Sequence, residues 1–319
     1  MAHRNPVTFY TPPPEALLAA GDWAASPETV RRRMAERLRH VEEAIQLAAH
    51  ASGRSRAEIQ IVLATKTVPV DRLRMAAELG LTCFGENRAQ ELRAKAGAPE
   101  LAAYPLEWHF IGYLQRNKIK DVCPRITMLH SLDRLELARS LDEWLRRHGA
   151  LGERGEHGEH GEHGEHGGLD GLGERGGLEQ NTKPGKSGKD GENVPSRLDV
   201  LIEVNTSGEP SKHGVSPADT IELARRVAEL PTLSLRGLMT VASATGSESE
   251  VRRQFASLRE LAARIAALRL PGVHLQHLSM GMSRDFPLAI AEGATLIRLG
   301  TAILGPRPAE PGAAIQAAV

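Results

Sequence analysis

A single (β/α)8 barrel of the TIM type, an α/β fold, is what this chain predicts, and three observations predict it. Short β-branched runs alternate with amphipathic helical stretches; eight such runs stand outside one low-complexity segment; and the turn after the first run, Thr67-Val68-Pro69-Val70, holds no glycine. Parallel strands need helical crossovers, and eight of them close a sheet. The missing glycine argues against the competing doubly wound open sheet, whose first turn needs glycines to admit a dinucleotide pyrophosphate. The 319 residues, 41% hydrophobic, suffice for one large core.

Residues 1–26 mix prolines (Pro12-Pro13-Pro14) with short apolar patches and read as an N-terminal extension. Ser26-Pro27-Glu28 then supplies an N-cap, a first-turn proline and a dipole-favoured acid. An N-terminal helix follows over 27–50, with Val30, Met34, Leu38, Val41, Ile45 and Ala48 on one face. Strands are expected at 59–65, 82–85, 108–113, 127–131, 198–205, 235–241, 277–280 and 295–299. Helical patterns lie between them at 70–79, 88–96, 134–148, 217–229, 248–268 and 286–292. The barrel thus occupies 27–148 and 197–306. The stretch 149–196 interrupts it with Gly-Glu-His repeats and then Gly, Lys, Asn and Pro. Too little apolar surface is available there to offset ordering entropy, so a disordered surface insertion is expected. Its His157, His160, His163 and His166 are of a type that binds divalent metals, but a low-complexity expansion fixes no geometry, and no metal site is assigned. The tail over 307–319 should be loosely held.

Forty Lys and Arg balance forty Asp and Glu, so no net field attracts nucleic acid or an anionic membrane. No apolar run approaches the roughly 20 residues of a membrane span, and Met1-Ala2-His3-Arg4-Asn5-Pro6 leads into no signal-type core, so a cytoplasmic protein is expected. Cys83 and Cys123 fit a reducing compartment and take no role.

The chemistry gathers at the carboxyl ends of the strands, which share one face in such a barrel. Ile61-Val62-Leu63-Ala64-Thr65 stops at Lys66, whose amine would enter a partly dry site and could attack an aldehyde; the plain alternative is a lysine reaching solvent. Ser279-Met280-Gly281-Met282-Ser283-Arg284-Asp285 precedes a short helix, with Ser283 near its N-cap, and Gly300-Thr301-Ala302-Ile303-Leu304-Gly305 follows the eighth strand. Backbone N–H groups with hydroxyls beside them make an anion pocket, and the pair favours a phosphorylated ligand. Arg298, between Ile297 and Leu299, points into the barrel if those two pack outward. A charge there needs a partner, either a ligand atom or a carboxylate such as Glu203 or Glu86. Asn87, His109 and Asn205 either cap helices or line the pocket. Met239 reads as core or ring contact, and Trp23, Trp108 and Trp144 as packing.

An amine after strand one, an anion pocket after strands seven and eight and an inward arginine describe a site for pyridoxal 5'-phosphate (PLP). Here the chain resembles the pyridoxal phosphate homeostasis protein family, which is similar to the N-terminal barrel of alanine racemase standing alone. The resemblance is carried by Ala64-Thr65-Lys66-Thr67-Val68-Pro69, Phe84-Gly85-Glu86-Asn87, Trp108-His109-Phe110-Ile111-Gly112, Ile202-Glu203-Val204-Asn205, Lys212-His213-Gly214-Val215, Arg236-Gly237-Leu238-Met239, Ser279-Met280-Gly281-Met282-Ser283 and Ile297-Arg298-Leu299-Gly300-Thr301. It implies PLP as cofactor, Lys66 as its Schiff-base lysine, Ser283, Gly300 and Thr301 on the phosphate, and Arg298 facing the pyridine nitrogen. Asn87, His109 and Met239 complete the implied cofactor-binding set. The implied function is a carrier that takes part in PLP homeostasis without strong catalysis, a monomer in transient contact with PLP-dependent apoenzymes. The alternative is a PLP-dependent racemase using Tyr113 or His109 as opposing base. Racemases of this fold draw that base from an added β-domain, which this chain has no room for after Gly305. The insertion, and Tyr113 where relatives often carry histidine, depart from the family pattern.

Overall fold

Ile61, Val62 and Leu63 are all buried, as a parallel strand covered on both faces requires. In the computed structural model, which describes residues 7–11, 25–149 and 194–306, they lie in β1 (Gln60–Ala64). Seven more strands follow: β2 (Cys83–Glu86), β3 (Glu107–Phe110), β4 (Met128–Leu132), β5 (Leu198–Glu203), β6 (Leu233–Met239), β7 (Val273–Ser279) and β8 (Leu296–Leu299). They form a closed parallel barrel in chain order, sealed where Ile61 pairs with Ile297 and Val62 with Arg298. All eight expected strands are present. β7 begins four residues earlier than expected, because Val273 pairs with Leu235 at the far rim.

The helices are α1 (Pro27–Ala51), α2 (Val70–Glu78), α3 (Ala89–Ala96), α4 (Ile119–Val122), α5 (Leu135–Gly149), α6 (Thr220–Ala228), α7 (Glu248–Ala267), α8 (Phe286–Ala291) and α9 (Thr301–Leu304). α1 starts where the cap was expected, Ser26 Oγ accepting the Thr29 N–H at 3.4 Å. Its buried stripe, Val30, Met34, Val41, Ile45 and Ala48, lies against α8 and α9. Arg54 donates to the Ile290 and Ala294 carbonyls at 3.2 and 2.8 Å, tying the end of α8 and the residues after it to the loop that follows α1.

Two layers of apolar packing result. The larger lies between sheet and helices and holds Phe84, Phe110, Phe255 and Phe286. The smaller fills the barrel with Val62, Cys83, Met128, Leu201, Met239 and Leu296, capped by Ile111 and Val241. Side chains alternate along a strand, so residues two steps on from these linings, Ala64, His130, Glu203 and Arg298, also face inward.

Of the extension expected over 1–26, residues 7–11 lie against the barrel. The Phe9 N–H donates to Glu248 Oε1 at 2.9 Å and the Tyr10 N–H to the Arg284 carbonyl at 2.7 Å. The Arg284 guanidinium covers the Phe9 ring at 4.0 Å. Trp23, the histidines of the expected insertion and the 307–319 tail lie outside the described residues.

Candidate functional site

β1 runs out at Ala64, and residues 65–68 turn back through a hydrogen bond from the Val68 N–H to the Thr65 carbonyl at 2.9 Å. Lys66 is the second residue of this turn. Thr67, the third, has φ 63°, a conformation unfavourable for a β-branched side chain that persists only when its surroundings enforce it. Those surroundings are polar. The Thr67 N–H donates to Glu91 Oε2 at 2.7 Å, and Lys95 Nζ donates to the Thr65 carbonyl at 2.7 Å. Lys95 also reaches Glu86 and Glu91, both at 2.7 Å, so all three of its donors are used. Lys66 itself is half-buried, and among the described residues its ammonium has no polar partner.

Glu86 ties a second expected site residue to this group. Its Oε2 accepts the Thr65 hydroxyl at 2.7 Å and its Oε1 the Asn87 N–H at 2.8 Å. Asn87 is pressed from behind by Gly112, where a Cβ would stand 2.3 Å from the Asn87 carbonyl oxygen; only glycine fits that approach. The Asn87 side chain has no partner among the described residues.

The loops after β7 and β8 meet as expected, with one difference. Ser283 does not cap the helix after it. Asp285 is the residue before α8, and its carboxylate takes the Met282 N–H at 2.6 Å. Ser283 Oγ instead crosses to the other loop and accepts the N–H groups of Gly300 and Ala302 at 3.3 and 3.2 Å. Ser283, Gly300 and Thr301 are thereby one cluster. The exposed Thr301 adds a hydroxyl and an N–H with no protein acceptor among the described residues. Neutral donors of this kind suit a phosphate ester.

Arg298 is 5% exposed and points inward, but its partner is not a carboxylate. Its guanidinium donates to Ser279 Oγ at 2.7 Å and to the Thr240 carbonyl at 2.8 Å, while Glu86 is taken by Lys95. Burial pulls Arg298 down to about 10, against the influence of Glu203 and Asp285, so it stays charged at neutral pH. The chain of bonds continues: Ser279 Oγ to His130 Nδ1 at 3.0 Å, and His130 Nε2 to His109 Nδ1 at 3.0 Å. Arginine is donor-only, so Ser279 Oγ accepts from Arg298, and the chain runs on through His130 to His109. Burial and the neighbouring cationic and imidazole groups keep both rings neutral, His109 being pushed down to about 4 and His130 well below its usual value.

His109 therefore sits beneath the mouth with its ring committed to His130 and beside Cys83 at 3.6 Å. Met239 is 1% exposed in the interior lining. Asn205 caps its own loop, accepting from Ser207 and Gly208 and donating to the Glu209 carbonyl. Tyr113 is exposed, its ring stacked on His213 at 4.5 Å with the Arg134 guanidinium 4.8 Å from its centre. Cys83, Glu107 and His109 bring ligand atoms within 4.8 Å of one another, but burial raises the Cys83 thiol far from ionisation. We assign no metal there.

Glu203 is the remaining inward charge. It is 8% exposed, and burial, then repulsion by Asp133, raise its carboxyl to about 7 despite Arg298. Sequence reasoning passed over Lys95, Glu91, Ser279 and His130. The buried Glu86 was the available sign, since such a carboxylate demands a cation, and Glu91 and Lys95 stand at helical i,i+4 spacing.

The donor set fits a phosphorylated aldehyde: free N–H and hydroxyl groups at one end, an unpartnered amine at the other. Comparisons with known proteins agree with it. The model for the alanine racemase N-terminal domain matches residues 189–308. The chain is 38% identical over 272 residues to the pyridoxal phosphate homeostasis protein of Aquifex aeolicus, covering 85% of this chain and 97% of that one. To the protein of the same name in Escherichia coli it is 36% identical over 275 residues, 86% and 97% of the two chains. Among solved structures, PipY of Synechococcus elongatus, determined with PLP bound, matches with a TM-score of 0.62 at 29% identity over 85% of this chain and 100% of that one.

Proposed function

The chain belongs to the pyridoxal phosphate homeostasis protein family, and from that premise we propose that it binds PLP at the mouth of the barrel, holds it on Lys66 and yields it to PLP-dependent apoenzymes in transient contacts. The observation that carries the reading is the Lys66 amine, unpartnered among the described residues, on an enforced turn, on a mouth that also bears the Ser283–Gly300–Thr301 cluster. When bound, PLP supplies an aldehyde carbon that condenses reversibly with a primary amine, and a ring that can accept electron density. Lys66 presents the amine. Ser283, Gly300 and Thr301 would hold the phosphate, the free donors there being the Ser283 and Thr301 hydroxyls and the Thr301 N–H, with the Gly300 N–H holding Ser283 in place. Asn87 lines the pocket from β2, and Met239 closes the floor with apolar surface. Arg298 would face the pyridine nitrogen of bound PLP and, as a donor-only cation, would disfavour a proton there and weaken the ring as an electron sink.

Release rather than catalysis is supported by His109: this candidate for an opposing base is buried and neutral, with its Nδ1 hydrogen-bonded to His130 Nε2. The protein acts as a monomer in the cytoplasm. Absorbance of the PLP-loaded protein in the near-ultraviolet and visible, recorded before and after Lys66→Ala, tests the reading: the band of amine-bound cofactor should vanish in the variant, and a band that survives unchanged refutes the assignment. Solvent deuterium exchange at the α-carbon of a panel of amino acids should be at background; exchange abolished by Tyr113→Phe would instead establish a racemase-type enzyme.

A further inference from the structure

We infer that Glu91 and Lys95 of α3 are positioning residues, a clamp that sets the turn carrying Lys66 and so presents its amine to the cofactor without touching it. The inference rests on the reading above and names the device behind it. The two residues on either side of Lys66 are both held from α3. Lys95 grips the carbonyl before it and Glu91 the N–H after it, each at 2.7 Å, and Lys95 links the two grips by its own 2.7 Å bond to Glu91. Between these points Thr67 is kept at φ 63°. Without an acceptor for its N–H, a threonine there would relax toward negative φ, and the peptide joining Lys66 to Thr67 would rotate with it. Lys66 is bonded to that peptide, so the direction of its side chain depends on the clamp.

Electrostatics keep the clamp closed. Burial raises the Glu91 carboxyl, but the Lys95 ammonium and the Thr67 N–H outweigh it and leave the group below the ordinary carboxylate range. Glu86, with no exposed side-chain surface, anchors the other side of Lys95 and orders the Asn87 backbone at 2.8 Å. One lysine outside the pocket thus sets two of the residues that line it.

The test uses the full-length protein as Glu91→Ala and Glu91→Gln, since Glu91 is partly exposed and its loss should be borne by the fold. Three quantities are compared: amide hydrogen exchange of Thr67 in the cofactor-free protein, the rate at which borohydride traps PLP on Lys66, and the affinity for pyridoxine 5'-phosphate, which has the phosphate and ring but no aldehyde. In Glu91→Ala we expect faster exchange at Thr67 and trapping slowed about tenfold, as a small misplacement of a reacting group produces, with pyridoxine 5'-phosphate bound as before. Glu91→Gln, which keeps an oxygen for the Thr67 N–H, should recover much of the rate. Trapping at the parent rate in both variants overturns the clamp, as does an equal loss of pyridoxine 5'-phosphate binding, which would mean general loosening. Should Glu91→Ala fail to fold, an unaltered rate in Glu91→Gln together with unaltered Thr67 exchange overturns it equally. If the parent protein itself is never trapped at Lys66, the functional reading fails, and faster Thr67 exchange in Glu91→Ala still reports whether the turn is clamped.

Discussion

Around Lys66 the barrel is held from outside, by an ion triad reaching in from α3, and the amine at its centre has no polar partner among the described residues. Around Arg298 it is held from inside, by a neutral chain through Ser279, His130 and His109, and the guanidinium is engaged on both terminal nitrogens. The difference teaches how one mouth can carry two cations with opposite duties. On the reading proposed above, the group that reacts is held through its backbone with its head left free, and the group that presents a fixed charge is held through its head.

Breaking the outer support should have the largest effect on the fold. Lys95→Met removes three hydrogen bonds and leaves Glu86 as a buried carboxylate without its cation. Loss of one partner of a buried pair costs about 3–5 kcal/mol. For a domain of this size that lowers Tm by roughly 10 °C. A Tm within a degree or two of the parent would show that the triad is not needed to hold α3 and the turn.

Glu203 sharpens the contrast on the inner side, because it is a charge left without such support. Its folded value of about 7 lies above the ordinary carboxyl value of 4.5, so the folded state favours the protonated form. The resulting penalty is absent below about pH 4.5, grows as pH rises and is complete above 7. Glu203→Gln should therefore stabilise the protein at pH 8, by on the order of 3 kcal/mol, and have little effect at pH 4.5. Denaturant midpoints at the two pH values measure it; an equal change at both would mean that the carboxyl is not driven up by its surroundings.

A smaller loss is expected from Ser279→Ala. It removes the hydroxyl that accepts from Arg298 and is hydrogen-bonded to His130, leaving both facing a methyl group. Unsatisfied buried groups cost about 1–3 kcal/mol, readable as a shift in thermal midpoint.

The same contrast explains what could be read in advance. The barrel was legible because its evidence is local: Ile61-Val62-Leu63 and Leu296-Ile297 are apolar on both faces, and Ser26-Pro27 marks the start of α1. The ends carrying Lys66, Ser283, Gly300 and Thr301 were legible too, since strand ends and loops declare themselves by composition. The partners were not. Lys95 meets Glu86 only because α3 folds back over β2, and His130 meets Ser279 across 149 residues of chain only because the barrel closes. Arg298 was expected to need a carboxylate or a ligand, and it uses a serine and a carbonyl because closure puts them within reach. β7 was foreshortened for a similar reason, its first residues, Val273 to Gln276, being only partly buried or exposed and held by pairing with β6.

Borohydride reduction of the purified, PLP-loaded protein, followed by peptide mass mapping, probes the central claim most directly. The account predicts one modified peptide carrying the reduced pyridoxyl phosphate group on Lys66, with Lys95 unmodified because its ammonium is fully bonded. Attachment at another lysine, or none in a protein that still binds PLP, would contradict it.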